Sequence, residues 1–108
     1  MKTSKLTGAA LDWAVAKCEG MDDIQLEKNF ILGTAGANTD YSTDWAQGGP
    51  IIEREEIGLW CNQLTGSWGA NKQGIPYEQH GPTPLVAAMC CYVASKLGDD
   101  VEIPESLT

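Results

Sequence analysis

The residues best suited to chemistry lie between Asp40 and Arg54, in the sequence DYSTDWAQGGPIIER. This stretch contains two aromatic rings, Tyr41 and Trp45, short hydroxyl and carboxylate side chains, and the single arginine of the chain. Aromatic rings stack on nucleobases and other flat groups, and an arginine makes paired hydrogen bonds to a phosphate or carboxylate. The composition therefore predicts a binding site, without naming its ligand.

The middle of this stretch, Gly48-Gly49-Pro50, predicts a bend in a loop. Two glycines allow a positive φ or the close approach of another group, and Pro50 fixes the direction in which the chain leaves. Loops held by a rigid scaffold are where binding residues concentrate. Asp40 or Asp44 would accept hydrogen bonds from ribose hydroxyls or an exocyclic amine.

A second anion site is predicted at the start of a helix near the carboxyl terminus. Thr83 as N-cap, followed by Pro84 at the first helical position, is a strong start signal. The free amides of residues 83–86 then face an anion, beside the Thr83 hydroxyl. The predicted ligand-binding set comprises Tyr41, Thr43, Asp44, Trp45, Gly48, Gly49, Arg54, His80 and Thr83.

The same residues have a purely structural interpretation. Trp45 would cover the core, and Arg54 would pair with a neighbouring acid. The candidates for that acid are Glu55, Glu56 and Asp44. The occurrence of aromatic, arginine, glycine and acceptor groups in one stretch favours binding.

Neither a catalytic set nor a cofactor motif stands out. Catalysis needs a nucleophile with a base, paired carboxylates or a metal, and His80 is the only imidazole. The sequence has no Walker loop and no G-x-G-x-x-G. Its cysteines lack C-x-x-C spacing and predict buried, reduced side chains instead of a zinc site, namely Cys18, Cys61, Cys90 and Cys91. We therefore expect no enzymatic activity, no cofactor and no metal.

The charge of the chain restricts its partners. The 108 residues carry a formal net charge of −8, which argues against nucleic acid or anionic lipid as a partner. No apolar run would span a bilayer and no signal peptide is evident, which predicts a cytosolic protein. The acids cluster at 19–27, 53–56 and 99–105. We interpret them as solvated faces and helix ends, with a DNA-mimicking surface as the alternative.

The first predicted helix follows Thr7 as N-cap and ends at Gly20. Leu11 and Val15 share its core face, whereas Trp13 lies nearly opposite. A helix that is apolar on two sides must bury its second apolar side against another surface. Trp13 is therefore predicted to contact another subunit of a homo-oligomer or to line a pocket.

Short strands and a second helix complete the predicted fold. The second helix, 84–97, is apolar almost all round and predicts the buried spine of an α+β domain. The fold class is a small single domain, 1–108, with two main helices, a short mostly antiparallel sheet, and tails at 1–5 and 99–108. The remaining assignments are strands at 24–26 and 30–32 around a turn at 27–29, a loop at 33–39, a helical turn at 51–56, strands at 57–61 and 67–70, and irregular chain at 71–80.

Three runs of sequence resemble the NinX-like family of small lambdoid phage and prophage proteins. They are TGAALDWAVAKC at 7–18, STDWAQGGPIIERE at 42–55 and GPTPLVAAM at 81–89. The family pattern often has a basic residue where this chain has Cys90, so the long helix lacks that cation. The resemblance implies a phage accessory protein in a bacterial cytoplasm, and it supplies no reaction.

Phage context and the composition of the predicted site together favour one function. We expect a non-catalytic protein that sequesters a small nucleotide-like molecule of host immune signalling. The alternative is an acidic protein–protein inhibitor or DNA mimic acting on a host nuclease. A structural accessory protein without a ligand is the third interpretation.

Overall fold

The computed structural model describes residues 1–21, 24–26, 31–32, 39–75 and 78–107. It confirms the predicted α+β class, with short helical and extended elements alternating along the chain. The elements are α1 (Gly8–Cys18), β1 (Gln25–Leu26), β2 (Ile31–Leu32), α2 (Trp45–Glu55), β3 (Gly58–Cys61), β4 (Trp68–Asn71), β5 (Gln79–Gly81) and α3 (Pro84–Leu97), with 3-10 turns at Thr3–Lys5 and Glu105–Leu107.

Helix α3 is the centre of the core, as predicted. All ten residues at 85–94 are buried. The Thr83 hydroxyl accepts the Val86 amide at 3.1 Å, and Pro84 occupies a position where no amide is needed. Gly98 ends the helix with a φ of +86°, a conformation that favours glycine.

Helix α1 packs against α3 and also agrees with the sequence prediction. Leu11 and Val15 are fully buried, and Cys18 is half-buried. Gly20 follows the helix with a φ of +85°. The predicted start at Thr7 and stop at Gly20 are therefore confirmed.

Strands β3, β4 and β5 form an antiparallel sheet against α3, in the order β3-β4-β5. Leu59 pairs with Ala70, and Ala70 pairs with Gln79. The irregular chain predicted at 71–80 is wrong at both ends, because Asn71 belongs to β4 whereas Gln79 and His80 belong to β5. These polar residues have little intrinsic strand preference, and pairing between the strands determines their conformation.

The predicted pair of short strands near residue 30 is also present. Strands β1 and β2 are antiparallel, with Gln25 opposite Leu32. The turn predicted at 27–29 lies outside the described residues. Most of the loop predicted at 33–39 does too.

The bend predicted at Gly48-Gly49-Pro50 is wrong, because these residues lie inside helix α2. Asp44 starts the helix by accepting the Ala46 amide at 2.9 Å. Neither glycine has a positive φ. Pro50 lacks the amide that would bond to the Ala46 carbonyl. Both residues are exposed, so water can satisfy that carbonyl.

The two segments predicted as tails pair with each other. The Thr3 amide donates to the Asp99 carbonyl at 2.8 Å, and the Val101 amide donates to the Met1 carbonyl at 2.9 Å. The Thr3 hydroxyl donates to the Gly98 carbonyl at 2.6 Å. Thr3 is completely buried. These bonds fix the first 3-10 turn against the end of α3.

The burial predicted for the four cysteines is confirmed for two of them, because Cys18 is only half-buried. Cys90 and Cys91 are buried, but Cys61 is exposed, because it ends the edge strand β3. Among the described residues, no three His, Cys, Asp or Glu side chains form a group that could hold a metal ion. Within the same residues, no helix combines the length and apolarity that a bilayer span requires.

Candidate functional site

The two ends of α2 separate residues that the sequence placed in one site. Trp45 begins the helix and Arg54 lies in its last turn. Nine residues of α-helix span roughly 13 Å and two and a half turns. Trp45 and Arg54 therefore lie at opposite ends and on opposite sides of α2, and the structure does not bring them into one recess.

Tyr41 and Gly48 lie where the chain packs against α3. The Tyr41 side chain is buried, and burial raises its pKa, as do the nearby Glu19 and Asp12 carboxylates. A Cβ on Gly48 would lie 2.6 Å from both Leu85 Cδ2 and the Tyr41 carbonyl oxygen. Both residues therefore contribute to packing.

Three predicted residues remain accessible near the start of α2. Trp45 is 54% exposed, and Thr43 is also exposed. The backbone of Gly49 passes beside the indole, with 3.9 Å between its ideal Cβ position and Trp45 Cε3. The ligand-binding role of these residues stays a prediction.

Arg54 is engaged by side chains from three elements. Its Nη1 and Nη2 donate to the two Glu19 carboxylate oxygens at 3.2 and 2.8 Å. Its Nε donates to Glu55 at 2.9 Å, and Nη2 also lies 3.1 Å from the Tyr92 hydroxyl. The pairing with Glu55 matches the structural interpretation of the sequence. Glu19 could not be found from the sequence, because it lies 35 residues away.

These contacts shift the titration of the cluster. The hydrogen bond from Arg54 lowers the pKa of Glu19, and the same kind of bond lowers the pKa of Glu55. Burial and the hydrogen bond to Glu19 raise the pKa of Tyr92. The cluster has the paired geometry of a charge-assisted contact that connects α1, α2 and α3.

Asp12 attaches the segment before α2 to α1, and sequence reasoning missed it. Its carboxylate is 7% exposed and accepts the Ser42 amide at 2.8 Å. Burial raises the pKa of Asp12 to about 6, and the hydrogen bond from the Ser42 amide opposes this rise. The Ser42 hydroxyl lies near the carboxylate but makes no hydrogen bond of normal geometry. The sequence did contain a signal for Asp12, because an acidic residue stands between Leu11 and Trp13 on a helix that is otherwise mostly apolar.

His80 lies at a different part of the molecule, on a cavity of about 480 Å³. This β5 cavity lies between β5, the first 3-10 turn and the segment after α3. Its volume falls in the range of small-molecule sites. Its lining residues are Lys2, Thr3, Ser4, Lys5, Glu78, Gln79, His80 and Asp99.

Two lysines provide positive charge at the β5 cavity. Lys2 Nζ lies 3.3 Å from the Asp100 carboxylate, and both side chains are exposed. Lys5 makes no ion pair with any residue that the structure describes. Its ammonium group is therefore available to an anion.

The β5 strand adds polar groups to the same cavity. His80 Nε2 lies 3.1 Å from Glu78 Oε1, and both side chains are about half exposed. Gln79 is only 4% exposed, and its side-chain oxygen is buried without a hydrogen bond to the described residues. Sequence reasoning missed Gln79, because it treated this segment as irregular.

Thr83 belongs to the next turn of chain, and its hydroxyl is already used as the α3 cap. The same bond occupies the Val86 amide, one of the groups predicted to bind an anion. His80 also lines a second cavity of about 430 Å³ with residues 65–67, 81 and 82. The structure therefore places His80 between two cavities and leaves the anion-binding role of Thr83 as a prediction.

Trp13 lines a separate cavity of about 420 Å³ with Met21, Leu97 and Val101 among its walls. Lys17 Nζ lies 5.6 Å from the centre of its ring, a cation–π distance. This geometry matches one of the two predicted roles, the lining of a pocket. The other role, a contact between subunits, stays a prediction.

The comparison with known proteins identifies a phage family. A sequence model of the family described as "Bacteriophage P22, NinX" matches residues 2–96. The matched part reaches from the first 3-10 turn nearly to the end of α3 and includes both α2 and β5. No curated protein matches the chain.

Proposed function

The chain belongs to the NinX family of bacteriophage P22. We propose that this phage protein binds and sequesters a small nucleotide-like molecule in the host cytoplasm without transforming it. The proposed class of ligand is a host immune signalling nucleotide. The β5 cavity is the proposed site, and the carrying observation is that its lining includes Lys5, whose ammonium has no ion pair among the described residues.

Charge supports a small anion as the ligand. With a net charge of −8, the protein repels a long polyanion such as DNA or RNA. Lys2 and Lys5 are two of its seven basic side chains, and both line the cavity. One phosphate can therefore bind locally where a polynucleotide would meet the acids around it.

The remaining lining supports recognition of the other groups of a nucleotide. Glu78 and Asp99 line the cavity, and carboxylates accept hydrogen bonds from ribose hydroxyls and amines. The His80 ring offers a flat face, and rings of this kind stack on bases. Trp60 meets the His80 ring edge to face, with centroids 6.3 Å apart. That contact fixes the orientation of the imidazole.

The hydrogen bonds at the β5 cavity support a site that binds its ligand without transforming it. A nucleophile needs a base within hydrogen-bond reach. The His80 ring bonds to Glu78, and it makes no hydrogen bond to Ser4 or to another nucleophile among the described residues. The site accordingly offers charge and hydrogen bonds but no activated nucleophile.

Thermal denaturation with a panel of mononucleotides and cyclic dinucleotides tests the proposal. A bound member of the panel at a hundred times its Kd should raise the free energy of unfolding by about 2.7 kcal/mol. Mass spectrometry of the denatured complex should return that nucleotide unchanged. A cleaved product would instead identify an enzyme, and no stabilisation by any panel member would contradict the proposal.

The exposed acids favour a second candidate function. Asp99, Asp100 and Glu102 follow α3 on the surface, with Glu105 beyond them. Such a face could block the basic groove of a host nuclease. A nuclease captured at low salt, released at high salt and lost on neutralising these four acids would support this alternative over a nucleotide pocket.

A further inference from the structure

The face of the β3–β5 sheet that is turned away from α3 carries two aromatic rings side by side. Trp60 of β3 and His80 of β5 both pair with Gly69 of β4, and directly paired residues point to the same face of a sheet. Leu59, next to Trp60, points to the other face and packs against the core. We call the first face the outer face, and its strand residues are Gly58, Trp60, Gly69, Asn71 and His80.

Two glycines make the outer face flat. A Cβ on Gly69 would meet the indole of Trp60, with 2.7 Å to its Nε1, so the indole lies directly over Gly69. A Cβ on Gly58 would lie 2.7 Å from Asn71 Oδ1, so the Asn71 amide covers Gly58 in the same way. Side chains of a strand ordinarily stand away from the sheet. These two lie along it, because glycine leaves the space free.

The indole and the imidazole form a corner on this face. The indole extends from β3 over β4 toward β5, where His80 lies, and the two ring planes meet at 89° with centroids 6.3 Å apart. Since the indole lies along the sheet, the imidazole projects from the sheet beside it. His80 also lines the β5 cavity, so the indole lies next to a residue that bounds the proposed site.

The indole is accessible on the side away from the sheet. Gly69 beneath it is buried, whereas Trp60 is only half-buried and His80 is exposed. An indole held in this way stacks on flat rings, and such stacking tolerates any base, because every base has a π-face. The five residues of the outer face include no carboxylate, although the protein has a net charge of −8. A flat, negatively charged molecule therefore meets no repelling side chain among them.

We propose that the base of the nucleotide held in the β5 cavity stacks on the Trp60 indole, with the His80 ring beside it. This inference rests on the proposed function, because it names the group that holds the base of the molecule bound there. Stacking on one accessible ring accepts purines and pyrimidines alike. A ribose phosphate without a base lacks this contact. Trp60 thus separates nucleotides from sugar phosphates and does not discriminate among bases.

Calorimetric titration of wild type and Trp60→Leu tests the inference, with Trp45→Leu as the matched control at the exposed start of α2. The ligands are AMP, the other members of the nucleotide panel and ribose 5-phosphate, which has no base. Wild type and Trp45→Leu should bind AMP at least about fivefold more tightly than ribose 5-phosphate. Trp60→Leu should lose this preference, bind each panel nucleotide more weakly than wild type does, and keep the wild-type affinity for ribose 5-phosphate.

Tryptophan fluorescence gives a second readout in a variant that keeps an aromatic ring. Trp60→Phe retains a ring on the outer face and should therefore retain part of the preference for AMP. A base stacked on an indole quenches the emission of that indole, so AMP should quench wild type and Trp45→Phe but not Trp60→Phe. This variant keeps the test decisive if Trp60→Leu does not fold.

Three outcomes would overturn the inference and leave the proposed function standing. The first is equal wild-type affinity for AMP and ribose 5-phosphate. The second is a preference for AMP that is unchanged in Trp60→Leu. The third is a preference lost in His80→Leu but kept in Trp60→Leu, which would place the base on the imidazole. Binding of no panel nucleotide at all would overturn both proposals.

Discussion

The α2 region and the β5 cavity contain similar kinds of side chain, but the fold uses them differently. Near α2, the Arg54 guanidinium is hydrogen-bonded to Glu19, Glu55 and Tyr92. In the β5 cavity, Lys5 has no ion pair among the described residues, and the Gln79 oxygen is buried without a partner. Residue type and spacing thus identify groups that can bind, whereas the fold determines which of them are still available.

The largest expected effect concerns the attachment of the α2 region through Asp12. Its pKa in the folded protein is about 6, above its ordinary value of 3.8. The folded state therefore binds this proton more tightly than the unfolded chain. The contribution of Asp12 to the free energy of unfolding is greatest below pH 4 and falls as the pH rises through 6, by on the order of 3 kcal/mol.

Urea denaturation of the wild type and Asp12→Asn between pH 4 and 7 measures this effect. Asparagine keeps an oxygen acceptor for the Ser42 amide but does not titrate. Glu19 and Glu55, whose pKa values are lowered, act in the opposite direction, but they are present in both proteins. The stability of Asp12→Asn relative to wild type should rise with pH. A difference that is independent of pH would show that the Asp12 carboxylate is not buried as described.

The next effect concerns the packing of α2 on α3. Gly48→Ala would place a methyl group 2.6 Å from Leu85 Cδ2 and from the Tyr41 carbonyl, which costs about 1–3 kcal/mol of overpacking. Gly49→Ala is the matched control, because its methyl group would lie 3.9 Å from Trp45. It should be neutral or stabilising by up to about 1 kcal/mol, from higher helix propensity offset by the following proline.

Equal free energies of unfolding for Gly48→Ala and Gly49→Ala in urea denaturation would contradict this prediction. In that case α2 would not pack on α3 through Gly48, and the bend predicted from the sequence would again be a reasonable interpretation. A loss confined to Gly48→Ala would establish that the glycine is needed for close packing of the helices.

The predictable parts of the fold are those encoded by neighbouring residues. Thr83, Pro84 and Gly98 define α3 within a few positions, so the sequence alone predicts its limits. Helix α2 was missed because glycine and proline disfavour helix. The Asp44 cap and the packing of Gly48 outweigh that preference.

The site was predictable only in part, because its geometry depends on distant residues. His80 was among the residues selected from the sequence, and the cavity that it lines is completed by residues 2–5. The pairing of Arg54 with Glu19 likewise joins residues 35 positions apart. No local pattern indicates that Lys5 remains unpaired or that Gln79 is buried.

Calorimetric titration of Lys5→Met and Arg54→Met with AMP tests the central claim most directly. Lys5→Met should weaken binding at least tenfold and change the free energy of unfolding by less than about 0.5 kcal/mol. Arg54→Met should keep the wild-type affinity and lose about 1 kcal/mol of stability, because Glu19 and Tyr92 lose their shared partner. The reverse pattern, with binding lost in Arg54→Met and retained in Lys5→Met, would contradict the account and place the site on α2.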